Sequence, residues 1–508
     1  MYKILKIISR KSKLAKIQAN LVGIAINKIY KNTKIEFHTI ESKADLDQTI
    51  DLSSPGQIGL FTKDISKELI KNSYDIAIHS WKDIPVIPTD KTIIAGTLER
   101  GDMRDLLIFK KSSFHSDNKN IEILTSSPRR KYNLTKVLPD LMPTHNKKIF
   151  FSGVRGNIET RLKKFENGNS HGIILAKVAI DRLLEFGNKD TVEFIKEVLG
   201  KNKWFVLPLS IFPTAAGQGA IGIEIKKNRK SLLNFLSKIN SLEDYNNVLD
   251  EKKILSLYGG GCQQKIGVSV WSKHKKTIIS LKGVTEDRKI LSQFSVKEKS
   301  ITKHSENLTV ENLYPFPNSD KKIFKRELVE NSEKIKSLKD SLIYLSRKNV
   351  LESSGKIHES NTIWTSGLEC WKFAVKKGFW VNGTSDSFGE EDALHLTNFL
   401  PEKIKFFKLS HSKALSKKFQ LIPTYRLKIN PNIIDSIDIS HKTHFFWMSP
   451  LQFDEFLKKF PEIINKNHSC GFGNTFNHIN KILPRESKIV PYLSYTNWLE
   501  NNLKENYK

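Results

Sequence analysis

The chain has 508 residues, 39% of them hydrophobic, and 83 Lys and Arg against 54 Asp and Glu give it a net charge of +29. That length suggests about three or four domains with cores of their own, and no uninterrupted apolar run is long enough to span a bilayer. Three widely spaced cysteines, Cys262, Cys370 and Cys470, make neither a disulfide framework nor a metal site, so a reducing, cytoplasmic compartment with no metal and no membrane is expected.

The charge raises the question of a polyanionic partner. Most of the excess is lysine, spread along the whole chain with Asn and Ile, which reads as a solvated surface. Basic runs interleaved with aromatics, the mark of a single-strand binder, are not the pattern, and no nucleic acid is expected. The arginines are fewer and fall inside motifs, so they carry more information.

Residues 3–10 read as a first strand with charges scattered through it, not as a signal peptide. Ser12 caps a helix whose apolar positions Leu14, Ile17, Leu21 and Ile24 keep the helical period. A second strand at Ile35–Ile40, a polar loop, a helix near Lys63–Lys71 and a strand at Tyr74–Ser80 follow. This alternation indicates an α/β layer architecture. The last strand runs into His79-Ser80-Trp81-Lys82-Asp83-Ile84-Pro85, and strand carboxyl ends are where open α/β sheets bind ligands. Lys82 and Asp83 read either as a surface pair of little energetic value or as a charge pair aimed into a cleft, where the cation keeps Asp83 ionised.

A strand at Ile121–Ser127 precedes Pro128-Arg129-Arg130. Ser127 at the N-cap and Pro128 at the first helical position make a strong helix start. Two arginines in that first turn oppose the helix dipole unless an anion sits among them, which points to a carboxylate or phosphate ligand. The strand Phe150–Gly153 leads to Arg155 and, one turn into the next helix, Arg161. The buried strand Gly172–Ala176 leads to a helix with Arg182. With Arg10 closing the first strand, the arginines repeat one position at strand ends, and a cationic cleft is the better reading than scattered surface residues. Gly217 to Glu224 is a strand entered through glycines, and helices follow near 231–239 and 243–257. In Tyr258-Gly259-Gly260-Gly261-Cys262-Gln263-Gln264 a glycine-rich loop presents a thiol. It reads as an ordinary loop or as a covalent attachment or nucleophile site, and the residues leave both open. Strand-like runs at 266–271, 277–283 and 290–296 suggest a smaller α+β domain. A helical run at 325–347 and a linker at 353–360 close it.

Taken in order, Ser9-Arg10-Lys11-Ser12, Leu60-Phe61-Thr62-Lys63, His79 to Pro85, Arg100-Gly101-Asp102-Met103-Arg104-Asp105, Thr125 to Arg130, Arg155-Gly156-Asn157 with Thr160-Arg161-Leu162, Gly217-Gln218-Gly219-Ala220 and Gly260-Gly261-Cys262-Gln263 resemble the porphobilinogen deaminase family, also called hydroxymethylbilane synthase, over roughly residues 3–350. The resemblance implies a dipyrromethane cofactor joined through a thioether to Cys262. It implies head-to-tail condensation of four porphobilinogen units with loss of ammonia. Asp83 is then the catalytic carboxylate, stabilising pyrrole N–H groups and the cationic azafulvene and assisting proton transfer. Lys82, Thr125, Ser127, Arg129, Arg130 and Arg161 fall to the cofactor, and Arg10, Ser12, Arg155 and Arg182 to the substrate, whose acetate and propionate groups suit the planar fork of arginine. The implied fold is α/β: two periplasmic-binding-protein-like domains, at residues 1–100 with 203–226 and at 101–202, and a small α+β cofactor-bearing domain at 227–352. A monomer is expected. Four positions depart from the family pattern: Ile58, Trp81, Lys177 and Gly259.

After the expected linker at 353–361, residues 362–508 carry two strand–helix pairs around Phe445 to Pro450 and Gly471 to Thr475. They resemble uroporphyrinogen III synthase, in a segment shorter than a full two-lobed synthase. A fused second activity and a structural domain without activity both stay open, as does a reading of the whole chain as a bilobal carboxylate-binding protein without chemistry.

Overall fold

The computed structural model describes residues 2–41, 60–71, 73–86, 90–114, 120–143, 147–259, 264–297, 308–315, 323–352, 354–401, 403–484, 487 and 489–503. Its contacts divide the chain into two units. One comprises Met1–Pro139, Thr144–Ser272 and Thr277–Phe294; the other comprises Asp140–Pro143, Lys273–Lys276 and Ser295–Lys508.

The first unit begins with β1 (Ile4–Arg10), α1 (Lys13–Ile29), β2 (Lys34–Ile40), α2 (Leu60–Ile70), β3 (Ile76–Ser80) and β4 (Thr92–Gly96). It continues with β5 (Asp105–Lys110), β6 (Asn120–Leu124), α3 (Pro128–Leu141), β7 (Lys148–Ser152), α4 (Ile158–Asn167), β8 (Gly172–Ala176), α5 (Lys177–Phe186), α6 (Lys189–Lys201) and β9 (Asn202–Val206). Then come β10 (Ile221–Lys226), α7 (Lys230–Leu236), α8 (Leu242–Ser256), β11 (Gly267–Lys273), β12 (Lys276–Val284) and β13 (Ile290–Lys297). The first sheet has the order β2-β1-β3-β10-β4 and the second β7-β6-β8-β5-β9. In each, three strands run parallel and the fourth runs antiparallel to both its neighbours. These are the two expected periplasmic-binding-protein-like lobes. The chain passes from one to the other between β4 and β5 and returns between β9 and β10.

Buried central strands read as continuous apolar runs, and all five residues of β8 are buried. Helix α1 starts where Ser12 Oγ accepts the Ala15 N–H at 3.3 Å. Its buried face is the expected one only in part, with Ile17 buried and Leu21 packed against the core. Ala15, Ile17, Gln18, Ala19, Val22, Gly23 and Ile26 face inward, while Ile24 is exposed. Small residues explain the rotation: a Cβ on Gly23 would lie 2.6 Å from the Phe37 ring, so the helix lies on the sheet along its Ala and Gly side.

The crossovers meet at a buried node. Arg100, in the first crossover, donates Nη1 and Nη2 to the two carboxylate oxygens of Glu251 on α8, at 2.8 and 2.9 Å. Glu251 also accepts the backbone N–H of Gly217, in the return crossover, and of Val270 on β11, each at 2.7 Å. Glu251 is wholly buried, so this one carboxylate ties both crossovers to the small three-stranded β11-β12-β13 domain.

The second unit has β14 (Leu313–Tyr314), β15 (Phe324–Leu328), α9 (Ser332–Lys336), β16 (Ser341–Leu345), β17 (Thr362–Thr365), α10 (Leu368–Lys376), β18 (Gly383–Thr384), β19 (Lys405–His411) and β20 (Gln420–Ile429). It ends with α11 (Pro431–Asp435), β21 (His444–Trp447), α12 (Pro450–Lys459), β22 (Asn467–Gly471), α13 (Asn474–Ile482), β23 (Ile489–Tyr492) and α14 (Tyr495–Asn502). Two sheets form, β15-β20-β19-β16-β17-β18 and β14-β21-β22-β23. All pairings are parallel except β15 with β20.

Two expectations differ from this. The run 325–347 is not one helix: it holds β15, α9 and the wholly buried β16. A short apolar run such as Leu342-Ile343-Tyr344-Leu345 has no period that separates a buried strand from a helix. Residues 353–361 do not separate domains either. They join β16 to β17, which pair in register from Leu342 opposite Thr362, and the contacts divide the chain near residue 295 instead.

Candidate active site

At the carboxyl end of β3 the chain makes one tight helical turn, Trp81–Asp83, closed by the Ile84 N–H to the Trp81 carbonyl at 3.1 Å. Trp81 is buried against Ile84, Ala220 and Val248. Anchoring that ring fixes the turn and sets Lys82 and Asp83 on the wall of two cavities, of about 500 and 180 Å³. Lys82 Nζ and the Asp83 carboxylate are not isolated: burial drives the Lys82 amine below its ordinary range, Asp83 opposes this, and Arg130 and Arg161 add repulsion.

The larger cavity is lined by Arg10, Ser12, Lys82, Asp83, Arg130, Arg155 and Arg161. These residues come from both lobes: from the end of β1, the cap of α1, the turn after β3, the first turn of α3 and the start of α4. Asn157 caps α4 by accepting the Thr160 N–H at 2.9 Å, and Arg161 donates Nε to the Gly156 carbonyl at 2.7 Å. Burial, followed by repulsion from Arg130, brings the Arg161 guanidinium down to about 10, with Asp83 opposing and Arg10 adding to the fall. The smaller cavity is lined by Lys82, Asp83, Ser127, Arg129 and Arg130 together with Lys252 and Gln264. Lys82, Asp83 and Arg130 stand on both walls.

The first turn of α3 answers the question its arginines raised. Ser127 Oγ accepts the Arg130 N–H at 3.3 Å, and Thr125 Oγ1 accepts the Ser127 N–H at 3.2 Å. The anion among the arginines is the chain's own: Asp105, at the start of β5, accepts from Arg129 Nη2 at 2.8 Å and Arg130 Nη2 at 2.6 Å. Arg129 Nη1 reaches the Pro213 carbonyl at 2.9 Å and Arg130 Nη1 the Ile174 carbonyl at 3.2 Å. Arg130 Nε is buried without a hydrogen-bond partner among the described residues.

The remaining expected residues separate. Arg182 is buried and donates Nη2 to the Gly219 carbonyl at 2.8 Å, and neither cavity includes it. Thr125 is buried within the turn and lines neither cavity. Cys262, on which the expectation of a covalent cofactor rests, lies outside the described residues, as does Ile58. Gln264, two residues on, lines the smaller cavity. Lys177 is wholly buried, its Nζ 2.9 Å from both Asp181 carboxylate oxygens and 3.3 Å from Asp102. Cys370 and Cys470 are buried in the second unit, and burial pushes the Cys370 thiol up to about 12.

Some wall residues were not foreseen. Gln18 is buried, bonds Ser80 and lines the larger cavity. A polar residue on the small-residue face of α1 was the only sign of it. Lys252 Nζ donates to the Ile84 carbonyl at 2.7 Å, directly behind the Asp83 turn, and nothing in its helical neighbourhood marks it. Lys13, on α1, reaches Glu159 across the larger cavity at 2.8 Å.

A family model described as the dipyrromethane-cofactor-binding domain of porphobilinogen deaminase matches residues 5–234. A probable porphobilinogen deaminase from Picrophilus torridus is 36% identical over 264 residues, 52% of this chain and 84% of its own length. The chain belongs to the porphobilinogen deaminase family. A probable porphobilinogen deaminase from Sulfurisphaera tokodaii is 33% identical over 305 residues, 60% of this chain and 92% of that protein. An extracellular-binding protein of a probable amino-acid transporter from Bacillus subtilis, at 12% identity, covers 51% of this chain and 97% of its own with a TM-score of 0.27, which adds nothing to the assignment.

Within the deaminase family the cofactor is dipyrromethane, whose two pyrroles each carry an acetate and a propionate. The residues present fit such a group. Arg130, with its orphaned buried Nε, stands at the wall shared by both cavities. Ser127 and Arg129 flank it beside Gln264, the nearest described residue after the cysteine. The cations lining the larger cavity outnumber its carboxylates Glu41, Asp83 and Glu159, a shortfall of negative charge that four carboxylates would supply. Among the described residues, no group of three or more His, Cys, Asp or Glu could hold a metal ion, and no helix is long and apolar enough to cross a membrane.

The return crossover constrains the Asp83 turn. Gly217 has φ +82°, and a Cβ there would lie 3.1 Å from the Lys82 N and the Trp81 C. Gly217→Ala should therefore lower stability by about 1–3 kcal/mol through backbone strain and crowding of the turn. A urea titration measures this, and a loss below about 0.5 kcal/mol, the scale of an ordinary surface change, would show that the close approach does not constrain the turn.

Proposed function

We propose that this protein is a porphobilinogen deaminase, condensing four porphobilinogen molecules head to tail into hydroxymethylbilane with release of ammonia. The observation that carries the reading is the placement of Asp83: its carboxylate stands with Lys82 and Arg130 on the shared wall of two cavities, with Arg10, Arg155 and Arg161 on the larger and Arg129 on the smaller. A cysteine-linked dipyrromethane on Cys262 would supply the nucleophilic pyrrole carbon from which the chain grows. Lys82, Ser127, Arg129, Arg130 and Arg161 would hold its carboxylates, and Arg10, Ser12 and Arg155 those of the incoming porphobilinogen. Arg182 and Thr125, engaged in the fold, would act by holding Gly219 and the Ser127 turn.

The chemistry asked of Asp83 follows from its surroundings. As a carboxylate it accepts hydrogen bonds from pyrrole N–H groups and so orients the ring. Breaking the aminomethyl C–N bond expels ammonia and leaves positive charge on the methylene and ring of the incoming porphobilinogen, and a fixed anion in a part-buried recess lowers that barrier more than water does. After the new carbon–carbon bond forms, a ring proton must leave, and Asp83 Oδ would take it. The cations do a different task. They neutralise a product that gains an acetate and a propionate with every unit added, and guanidinium forks suit carboxylates geometrically.

Asp83→Asn keeps shape and loses charge. It should lower kcat for ammonia release from porphobilinogen by about 10²–10⁴-fold while changing KM little. A variant within about threefold of wild type, less than one hydrogen bond's worth, would overturn the role.

A second reading concerns the second unit. We infer that it is a uroporphyrinogen III synthase-like domain that takes the deaminase product. Its construction supports this: the unit has two sheets, not one, because strands from 313 onward belong to it. The apparent shortness of residues 362–508 for a two-lobed synthase therefore disappears. Strand ends bind ligands in such sheets, and here they carry hydroxyls. Ser346 Oγ donates to Ser410 Oγ at 2.9 Å, Ser366 Oγ to the Ser346 carbonyl at 2.7 Å, and Thr384 Oγ1 to the Thr365 carbonyl at 3.0 Å. The two sheets approach there, Arg347 Nη2 reaching the Met448 carbonyl at 3.1 Å. Incubation with porphobilinogen followed by acid oxidation separates the cases. This reading predicts the type III uroporphyrin isomer in excess; type I alone, the product of unassisted ring closure, would exclude it.

A further inference from the structure

Asp105 lies in the Arg100 to Asp105 motif but has no part in the chemistry set out above. It is wholly buried. Besides Arg129 and Arg130 it accepts Gln218 Nε2 at 3.0 Å, and Gln218 also donates to the Met103 carbonyl at 2.7 Å. Three donors from two different segments thus converge on one carboxylate. The Asp105 carboxyl stays well below the usual range: burial would raise it, but Arg130 and Arg129 together prevail.

We propose that Asp105 is a positioning residue for the deaminase reaction, setting the aim of Arg129 and Arg130 toward the carboxylates of the bound pyrroles; the proposal rests on the deaminase reading. Each guanidinium is clamped on two sides, by Asp105 and by a backbone carbonyl. Arg129 is further fixed over the Phe212 ring at 5.4 Å. A clamped fork loses little rotamer freedom when a ligand arrives. One carboxylate between two guanidiniums also leaves one positive charge over. That surplus faces the cavity walls on which both arginines stand. Two carboxylates there would leave nothing to attract a ligand, and none would leave two buried like charges beside Lys82.

The test uses the full-length protein made in a porphobilinogen-producing host. Asp105→Asn, Asp105→Glu and Gln218→Met are compared with wild type by intact mass, melting temperature, kcat and KM for porphobilinogen. Asp105→Asn should retain its fold, carry the covalent pyrroles on a smaller fraction of molecules and raise KM about tenfold, the scale of one charge-assisted hydrogen bond, with kcat of the loaded fraction changed far less. Asp105→Glu, which keeps the anion, should recover most of that loss. Should Asp105→Asn not fold, Gln218→Met decides: it leaves the charge and removes one neutral donor to Asp105, and KM should rise about threefold with kcat changed far less, the melting temperature falling only modestly as the Met103 carbonyl also loses its partner. Wild-type loading and wild-type KM in folded Asp105→Asn, or an unchanged KM in Gln218→Met when that variant must decide, would overturn the proposal. A wild-type protein that carries no pyrroles and releases no ammonia would instead remove the deaminase reading itself.

Discussion

Burying arginines is the constraint around which the first unit is built. Two like charges about 4 Å apart repel by about 4 kcal/mol at a part-buried site, and here several stand at the mouths of neighbouring strands. The fold admits them by spending carboxylates sparingly. Asp105 takes two arginines, Glu251 takes Arg100, Asp102 takes Arg104, and Asp83 lies beside Arg161. Where a carboxylate is fully enclosed, as at Asp105 and Glu251, it joins chain segments that are distant in sequence. Where it is not, at Asp83, charge is left available for chemistry. The same element, an acid beside a base at a strand end, thus serves as a joint in one place and as a reactive group in another.

Much of this was legible in the order of residues, because glycines, caps and arginines at strand ends are local signals. Ser12 and Asn157 cap their helices as their side chains dictate, and Arg10, Arg130, Arg155 and Arg161 converge on one cavity as their repeated position suggested. What escaped is what depends on partners far away in sequence. The two arginines of α3 announced an anion, but nothing near them said that Asp105 would meet them first. Gln18 and Lys252 bear on the site only through the fold. Trp81 and Lys177, departures from the family pattern, are absorbed by packing: one by a tryptophan-sized pocket beside Tyr245 and Gly222, the other by two aspartates.

The second unit shows where local reading fails. Its boundary was expected at a polar stretch, and polar stretches are where linkers lie, yet residues 353–361 turn between two strands of one sheet. A buried parallel strand of five residues looks like a piece of buried helix, so β16 was hidden inside an expected helix, and with it the start of the unit. Once β14 to β20 join the later strands, β14 to β23 make two sheets, parallel except at β15, and Ser346, Ser366 and Thr384 put hydroxyls at strand ends of the larger one.

The central claim is that the cationic recess around Asp83 serves a pyrrole chain tethered at Cys262. The most direct measurement is the intact mass of the protein from a porphobilinogen-producing host beside a Cys262→Ser variant. The account predicts a wild type heavier than its sequence by two linked pyrrole units and a variant at its sequence mass. A wild type at its bare sequence mass, or a variant carrying the same addition, would contradict it.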